Sequence, residues 1–498
     1  MKRSLLFFTI ASLLYCSKST HDVTSIDESE AEQTFRVTFV AGKGGAVSTN
    51  GGVYEAGVEI TVTAIPSIGY VFKQWSDGSV ENPKTMVITT QIELVADFDI
   101  QTLTFDYSDF GYPSLGFHPE GLGYIELDDK AYLMLPFAEL QSDKTDYLRA
   151  FEVIRESSVI VDKTHEVFDT PPTVGFTKGP MLISDFDKDG YKDFFLVDHG
   201  QENERVNGNF KGAYLHFYYG SAQGFRKQNF KGITDLNLFY HHADIGDFDR
   251  DGDVDILSQR WPSYDHDVPA GNTMAILINE GGNFSIRNLE NPLNSIGSVL
   301  LTNLDDDPDL EALAGTYSYA DGALWYWDIL TDSVAYIQEE IGAYPMDDII
   351  ELHAGNNSRI LMFSELDNSP VLSVTDKGMN LFESSELYDY QARDIIVQDF
   401  NQDGWDDFYM YFGDDKNGDW GTTFGTFRES LFINDGKNSF VNPSQILDQY
   451  GRSLENESNI HFYPLKGVDG AYRFIKFQKE YALQPPISAQ IVDLTITI

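Results

Sequence analysis

Three acidic stretches of the chain share one pattern. Residues 182–194 read LISDFDKDGYKDF, residues 244–256 read DIGDFDRDGDVDI, and residues 396–408 read IVQDFNQDGWDDF. Each stretch has apolar residues on both sides of a short loop with the spacing Asp-x-Asp/Asn-x-Asp-Gly-x-x-Asp. This pattern predicts a strand, a tight acidic turn that contains the glycine, and a second strand.

The pattern belongs to an internal repeat. A degenerate copy, NLDDDPDLE at 303–311, keeps the acids and has proline in place of the glycine. The loops begin at 185, 247, 303 and 399, so they are 62, 56 and 96 residues apart, and the last interval has room for two units. Strand–turn–strand patterns without the acids occur at 350–362, 124–135 and 463–477, which brings the number of copies to seven.

Each copy is followed by a second pair of apolar runs around a turn, as in residues 215–225. Four strands per repeat are typical of a propeller blade, and closure of the ring removes exposed sheet edges. We therefore predict an all-β fold with a seven-bladed β-propeller over residues 100–498. The acidic loops and the Gly-Phe turns resemble the FG-GAP/VCBS repeats of integrin-alpha-type propellers, a resemblance that extends over the whole predicted propeller.

The loop spacing suits a hard cation. Side chains at loop positions 1, 3 and 5, a carbonyl at position 7 and a carboxylate at position 9 form an oxygen cage that favours Ca²⁺, with Mg²⁺ as second choice. An EF-hand needs an acid at position 12, where this chain has Leu196, Ser258 and Met410. The alternative is an acidic turn without an ion, and for the degenerate copy both interpretations are open. We expect three to four calcium ions with a structural role, one for each blade that carries the loop.

The predicted calcium ligands fall into four loops. They are Asp185, Asp187, Asp189, Tyr191 and Asp193; Asp247, Asp249, Asp251, Asp253 and Asp255; Asp399, Asn401, Asp403, Trp405 and Asp407; and, in the degenerate copy, Asn303, Asp305, Asp307 and Glu311.

Composition limits the classes of partner. The 498 residues include 34 basic and 79 acidic ones, a formal net charge of −45, which argues against nucleic acid as a partner. Hydrophobic residues make up 42% of the chain, enough for sizeable cores, so a chain disordered throughout is excluded. The single cysteine excludes an internal disulfide and a thiolate zinc site. We expect a monomer.

The N-terminus has the composition of an export signal. Two basic residues precede an apolar run, and residues 13–16 read LLYC, which resembles a bacterial lipobox of the Bacteroidetes type. The resemblance implies lipidation of Cys16 and attachment to the outer membrane or cell surface, with the lipid anchor as the only membrane contact. The alternative is an ordinary secretory signal with an incidental cysteine. Residues 1–16 are thus a predicted signal peptide and 17–33 an acidic flexible tether.

Residues 34–99 have alternating strands and glycine turns and predict a small all-β domain. The segment GYVFKQWSDG at 69–78 and the run LVADF at 94–98 resemble the divergent internalin-type bacterial repeat, a spacer or adhesion module. For Trp75 two interpretations are open, a ligand platform and a residue of the domain core.

The face opposite the acidic loops is the predicted binding surface. Its segments contribute aromatic, cationic and imidazole side chains, which suit sugar stacking and hydroxyl recognition. The candidates are His199, His242, Arg260, Trp261, Tyr264, His266 and Trp420, and the second interpretation of both tryptophans is that they fold back onto their own loops. We predict an adhesion or binding module for an extracellular glycan or a surface protein. The alternative is a polysaccharide lyase that uses His242 and Tyr264 as acid and base and Arg260 against a uronate carboxylate; we favour the non-enzymatic function.

Overall fold

The protein is described by a computed structural model. It describes residues 33–67, 70–100, 102–106, 116–117, 122–128, 130–138, 145–154, 159–174, 180–206, 209–263, 268, 273–289, 296–303, 309–316, 323–328, 333–339, 349–355, 358–363, 371–375, 378–381, 391–401, 403–413, 428–434, 436, 440–441, 445–447, 460–466, 472–478, 488–492 and 495–497. Cys16 and the predicted tether lie outside these residues. Within them, no helix has the length and apolar character of a membrane span.

Eight strands form the N-terminal β unit. They are β1 (Thr34–Ala41), β2 (Gly45–Val47), β3 (Gly51–Glu55), β4 (Glu59–Val62), β5 (Ala64–Pro66), β6 (Tyr70–Trp75), β7 (Lys84–Val87) and β8 (Ile92–Ile100). Four of them form a sheet in the order β3-β1-β8-β6, in which only β1 and β8 are parallel. β2 pairs with β5, and β4 pairs with β7.

The core of this unit contains Trp75. Its indole is fully buried against Phe39 and Phe72, and Nε1 donates a hydrogen bond of 2.9 Å to the carbonyl oxygen of Glu81. A buried indole needs such a partner for its N–H group. Trp75 is therefore a core residue, as one of its two sequence interpretations predicts.

The rest of the chain is almost entirely strands. The first group comprises β9 (Thr102–Asp106), β10 (Gly116–Phe117), β11 (Gly123–Leu127), β12 (Lys130–Ala138), β13 (Thr145–Ile154), β14 (Val159–Asp162), the short helix α1 (Thr164–Val167) and β15 (Thr173–Val174). The second comprises β16 (Met181–Ser184), β17 (Asp193–Leu196), β18 (Gln201–Val206), β19 (Asn209–Lys211), β20 (His216–Tyr219), β21 (Arg226–Gln228), β22 (Ala243–Gly246), β23 (Asp255–Gln259), β24 (Met274–Asn279) and β25 (Phe284–Leu289).

The C-terminal strands continue the series. They are β26 (Ile296–Thr302), β27 (Glu311–Thr316), β28 (Ala323–Asp328), β29 (Ser333–Glu339), β30 (Ile349–Gly355), β31 (Ser358–Phe363), β32 (Val371–Thr375), β33 (Gly378–Leu381), β34 (Gln391–Gln398), β35 (Asp407–Gly413), β36 (Arg428–Asn434), β37 (Phe440–Val441), β38 (Gln445–Leu447), β39 (Ile460–Lys466), β40 (Tyr472–Gln478), β41 (Ser488–Val492) and β42 (Thr495–Thr497).

These strands pair as successive four-stranded antiparallel sheets. The separate sheets have the orders β16-β17-β20-β21, β22-β23-β24-β25, β26-β27-β28-β29, β30-β31-β32-β33 and β34-β35-β36-β37. The run β11-β12-β13-β14 precedes them within a larger sheet. The first strands of consecutive sheets contact one another, as β22 contacts β26 and β26 contacts β30.

Hydrophobic cores lie between neighbouring sheets. Phe194 and Phe195 are adjacent in β17 and point to opposite faces, as strand geometry requires. Phe194 packs with Met134 of the preceding run, whereas Phe195 packs with Ile256 of the following sheet. Leu257, next to Ile256, joins the core shared with the sheet after that. Four-stranded sheets that stack face to face with their first strands adjacent form a β-propeller, so the predicted all-β propeller fold is confirmed, and the number of blades stays a prediction.

The two ends of the propeller meet in one sheet. β39, β40 and β41 pair in order, and β41 then pairs with β9, a strand that precedes the first run in sequence. β9 also pairs in parallel with β14. Ile475 and Ala489 share a core with Leu133 and Phe151, so C-terminal and N-terminal strands are packed together. The repeats predicted at 124–135, 350–362 and 463–477, which lack the Asp-x-Asp-x-Asp-Gly pattern, coincide with the hairpins β11–β12, β30–β31 and β39–β40.

Candidate cation loops and the opposite face

The loop between β16 and β17 gathers three carboxylates. Oxygens of Asp185, Asp187 and Asp193 lie within 4.8 Å of one another. The Asp185 carboxylate accepts hydrogen bonds from the backbone N–H groups of Asp189 (3.1 Å) and Gly190 (3.0 Å). These bonds hold the turn closed, with Asp187 aimed at the same centre.

The gathered carboxylates recur in the second full loop, and the hydrogen-bonded turn recurs in both other full loops. Asp247, Asp249 and Asp255 also gather within 4.8 Å. The first aspartate of each loop accepts the N–H of the loop glycine, from Gly252 to Asp247 at 3.1 Å and from Gly404 to Asp399 at 2.8 Å. The three glycines have φ angles between +88° and +96°, a region that favours glycine, which explains the glycine at position 6.

The last aspartate of each loop is buried and joins three parts of its blade. Oδ2 of Asp193 accepts the N–H of Phe186 at 2.7 Å, and Oδ1 accepts the N–H of Gly220 at 2.8 Å, just after β20. Asp255 and Asp407 make the equivalent bonds with the residues at loop position 2 and at the end of the third strand. These carboxylates therefore have a structural role whether or not a cation is bound.

Burial raises the pKa of these carboxyl groups. The pKa is about 7 for Asp193 and Asp407 and about 6 for Asp255, because desolvation outweighs the backbone hydrogen bonds that favour the charged form. The pKa of Asp187 is also raised, first by burial and then by the negative charge of Asp189. An unneutralised cluster of this kind is electrostatically unfavourable, and a bound cation removes the penalty.

One carboxylate oxygen in the second loop lacks a hydrogen-bond partner among the described residues. Asp247 Oδ1 is buried and has no hydrogen-bond partner among the described residues. A buried carboxylate oxygen in this state is costly unless a cation or water satisfies it. The all-oxygen donor set with several carboxylates suits Ca²⁺ or Mg²⁺ rather than a softer metal.

The position 4 residues link neighbouring loops. Lys188 and Arg250 occupy this position and have φ angles of +57° and +62°. The Lys188 ammonium forms an ion pair with Asp253, at position 7 of the next loop, and the Arg250 guanidinium forms one with Asp309, at position 7 of the degenerate loop. The degenerate loop is thus connected to its neighbour, and its Glu311 is buried. Asn303 is described, whereas Asp305 and Asp307 lie outside the described residues.

On the opposite face the structure brings together residues from two blades. His199 follows β17, His241 precedes β22, and their Nε2 atoms are 3.2 Å apart. Phe239 packs against His199 with ring centroids 4.1 Å apart, and the Trp261 ring lies 4.7 Å from His241 and nearly parallel to Phe239. His199 and His241 are buried, whereas Trp261 is half-buried.

The other predicted ligand-binding residues differ in position. His242 is half-buried, and its carbonyl oxygen accepts the N–H of Gln259 at 3.0 Å. Arg260 is buried, and its guanidinium donates to the Asn288 side chain; burial lowers its pKa. Tyr264, His266 and Trp420 lie outside the described residues. Ligand contact by all of these residues stays a prediction.

Three further buried residues near this cluster are not among the residues predicted from the sequence. Asp198 Oδ2 lies 3.5 Å from His216 Nε2, and both side chains are buried. Gln259 is fully buried and accepts the His241 N–H through Oε1 at 2.7 Å. The Asp-His dipeptide that leaves β17 is a signal for the first pair; no local pattern marks Gln259.

Comparison with known proteins identifies the N-terminal unit. Residues 35–102 match the family model of the divergent InlB B-repeat domain, which confirms the internalin-type assignment. No curated protein matches the chain.

Three solved structures illustrate the structural similarity. BBS1N, from its crystal structure in complex with ARL6DN, has a TM-score of 0.42 and 10% identity over 79% of this chain and 97% of its own. The rhamnogalacturonan lyase PL11 of Bacillus licheniformis has a TM-score of 0.39 and 11% identity, and the match covers 90% of this chain and 84% of the lyase. An auxiliary nutrient binding protein from Bacteroides thetaiotaomicron has a TM-score of 0.37 and 11% identity, and the match covers 91% of this chain and 89% of that protein. At these scores the similarity supports no inference about this chain, and the propeller assignment rests on sheet order and shared cores.

Proposed function

We propose that the chain is a cell-surface, calcium-stabilised β-propeller of seven blades that binds an extracellular glycan or a surface protein. The observation that carries the proposal is the separation of two surfaces. Carboxylate loops of one repeated geometry occupy one face, and Trp261, half-buried, accompanies the imidazoles of His199 and His241 on the other. In this proposal Cys16 carries the lipid anchor.

Calcium has a structural role in the proposed function. Burial first, and then the negative charge of neighbouring aspartates, raises the pKa of Asp187 and Asp249, and a divalent ion offsets both costs of keeping these carboxylates charged. The loops also connect the first two strands of their blades to the residue at the end of the third strand or just after it. A bound ion therefore stabilises the framework on which the binding face is displayed, and it takes no part in ligand recognition.

Trp261 is the best-supported ligand contact among the described residues. One side of its ring is backed by Phe239, with centroids 5.8 Å apart and an interplanar angle of 15°. A half-buried indole held by a second aromatic ring is a rigid platform, and such platforms stack on the apolar faces of sugars. His242 lies in the neighbouring entry segment and is also half-buried.

The contacts of Arg260 do not favour the lyase alternative. A lyase needs a cationic group free to neutralise a uronate carboxylate, whereas the Arg260 guanidinium is buried and already donates to Asn288. His242 remains a candidate acid–base group for this alternative, with Tyr264 as its proposed partner.

The test is a binding and turnover assay on the mature chain with calcium present. A panel of neutral and acidic polysaccharides is assayed for bound protein and for released oligosaccharide in the same samples. Binding that Trp261→Ala weakens about tenfold, with no product, supports the glycan-binding function. Trp325→Ala is the matched control, because Trp325 is also half-buried but lies on the third strand of another blade.

Product release that His242→Gln abolishes supports the lyase instead. Failure to bind any polysaccharide, together with binding to intact bacterial surface protein, supports the protein-partner form of the proposal. Failure to bind either class of ligand contradicts it.

A further inference from the structure

The imidazoles of His199 and His241 form a pair that the carboxylate loops do not explain. The two residues come from neighbouring blades, at the strand ends remote from the acidic loops. Their Nε2 atoms form a hydrogen bond of 3.2 Å, in which the tautomers decide which ring donates, and their rings are nearly perpendicular, with an interplanar angle of 83°. A metal ion would replace the shared proton between the two nitrogens. Both side chains are buried.

We propose that His199 and His241 bind a transition-metal ion of the Zn²⁺, Cu²⁺ or Ni²⁺ class through their Nε2 atoms. Zinc–imidazole bonds are about 2.0–2.1 Å, and two such bonds at a tetrahedral angle place the nitrogens about 3.3 Å apart. The observed separation of 3.2 Å is therefore close to the bite distance of a tetrahedral ion. The two imidazoles supply two ligands, and water or an atom of a bound molecule supplies the others.

Backbone hydrogen bonds fix the two chain segments that carry the imidazoles. The backbone N–H of His241 donates to Oε1 of Gln259 at 2.7 Å, which fixes the entry to β22. On the other side, the N–H of Gly200 donates to Oδ1 of Asp198 at 3.1 Å, and Gly200 has a φ of +83°, so the turn that carries His199 is tight. Ligands that are held before the ion arrives lose little conformational entropy on binding.

Aromatic rings pack against the His199–His241 pair. Phe239 lies 4.1 Å from His199 and 5.2 Å from His241, and Trp261 lies 4.7 Å from His241, all between ring centroids. An apolar surround limits water access and tunes a metal site. Trp261 is half-buried and its ring contacts His241, so an ion here would sit beside the proposed ligand platform.

Ligand chemistry separates this pair from the acidic loops. Imidazole nitrogen suits Zn²⁺, Cu²⁺ and Ni²⁺, whereas the carboxylate and carbonyl oxygens of the loops suit Ca²⁺ and Mg²⁺. Both rings must present an Nε2 lone pair to the ion, so each carries its proton on Nδ1 in the metal-bound form. Metal binding therefore weakens at pH values below the usual pKa of histidine.

The experiment uses the full mature chain, freed of metal and then kept in excess Ca²⁺ so that the oxygen loops are saturated. Co²⁺ is added, and its visible ligand-field bands are followed to obtain stoichiometry and affinity. We expect one Co²⁺ per chain, with the intense bands of a tetrahedral site, and competition by Zn²⁺. His199→Gln and His241→Gln should each weaken binding roughly tenfold or more, since even changes to outer-shell partners cost this much. His165→Gln, a change at an exposed histidine, should leave it unchanged.

Equal Co²⁺ affinity in the wild type and in both histidine variants, or no binding by the wild type, overturns the proposal. If the variants do not fold, the Cu²⁺ paramagnetic resonance spectrum of the wild type decides. Hyperfine coupling to two nitrogens supports the pair, and a spectrum from oxygen ligands alone contradicts it. None of these readouts depends on polysaccharide binding, so failure of the metal site and failure of the proposed function are distinguishable.

Discussion

Lys188 of one acidic loop forms an ion pair with Asp253 of the next loop around the propeller. Arg250 repeats the arrangement with Asp309, from the same loop position to the same position of the following loop. At the preceding turn, Asp128 makes a hydrogen bond with the Tyr191 hydroxyl and raises its pKa, chiefly by its negative charge. Asp128, Lys188 and Arg250 all have positive φ angles, so a left-handed residue in each turn reaches the neighbouring blade.

The left-handed backbone at Lys188 gives the first prediction. Lys188→Ala removes the ion pair and keeps a Cβ at a φ of +57°, whereas Lys188→Gly removes the pair and relieves the backbone. We expect both variants to be less stable than the wild type at low salt, and Lys188→Gly to be the more stable of the two. Urea unfolding measures the difference. Lys192→Ala, at an exposed lysine of the same loop, is the control, and equal stability of the alanine and glycine variants would contradict the argument.

The buried carboxylate of Asp193 gives the second prediction. Asp193→Asn keeps the shape of the side chain but has one acceptor oxygen, so at least one of the N–H groups of Phe186 and Gly220 loses its partner. An unsatisfied buried donor costs about 1–3 kcal/mol. Urea unfolding in the presence of a chelator should show that the free energy of unfolding of the variant is lower by this amount. A variant as stable as the wild type would show that the two hydrogen bonds are unimportant.

The third prediction concerns pH in the absence of divalent cations. The pKa values of Asp193, Asp255 and Asp407 are raised to about 7, 6 and 7, whereas in the unfolded chain these groups titrate near 4. The folded state therefore holds more protons, and its free energy of unfolding should fall as pH rises from about 4 to 7. Melting temperatures measured in chelator across this range test the slope.

Two controls isolate the contribution of these carboxyl groups from the general repulsion of a chain with net charge −45. Asp193→Asn should reduce the slope, because one of the titrating groups is removed. Saturating Ca²⁺ should reduce it too, because a bound cation keeps nearby carboxylates charged. If neither change alters the slope of stability against pH, the pH dependence comes from other titrating groups.

Tyr70 gives the fourth prediction. This residue belongs to the N-terminal unit by sequence but is buried with Leu133, Phe151 and Ile475, where the first and last strands of the propeller meet. Tyr70→Ala should cost about 3 kcal/mol and should increase hydrogen exchange in β12 and β40. Val53→Ala, at an exposed valine of the same unit, should do neither. If Tyr70→Ala increases hydrogen exchange only within the N-terminal unit, that unit is an independent spacer.

Local sequence patterns predicted the parts of the fold that local chemistry determines. The Asp-x-Asp-x-Asp-Gly spacing predicted strand–turn–strand units, and Gly190, Gly252 and Gly404 all have the positive φ that the turn requires. Regular spacing located the hairpins β30–β31 and β39–β40, which lack the Asp-x-Asp-x-Asp-Gly pattern. The count of blades and the identity of the ion stay predictions.

Contacts between distant segments could not be predicted in this way. The pairing of β9 with β41 joins residues nearly four hundred positions apart, and no local pattern specifies it. The Lys188–Asp253 pair requires knowledge that the two loops are neighbours in space. His199 and Arg260 were selected for their chemical type, which does not reveal that both side chains are buried.

Calcium binding to the metal-free mature chain tests the central claim most directly. Isothermal titration should show three to four Ca²⁺ ions per chain, accompanied by a rise in melting temperature. The double variant Asp247→Asn/Asp249→Asn should lose one ion, because it removes two of the three gathered carboxylates of its loop. A chain that binds no Ca²⁺ at millimolar concentration and melts at the same temperature with and without it would contradict the account.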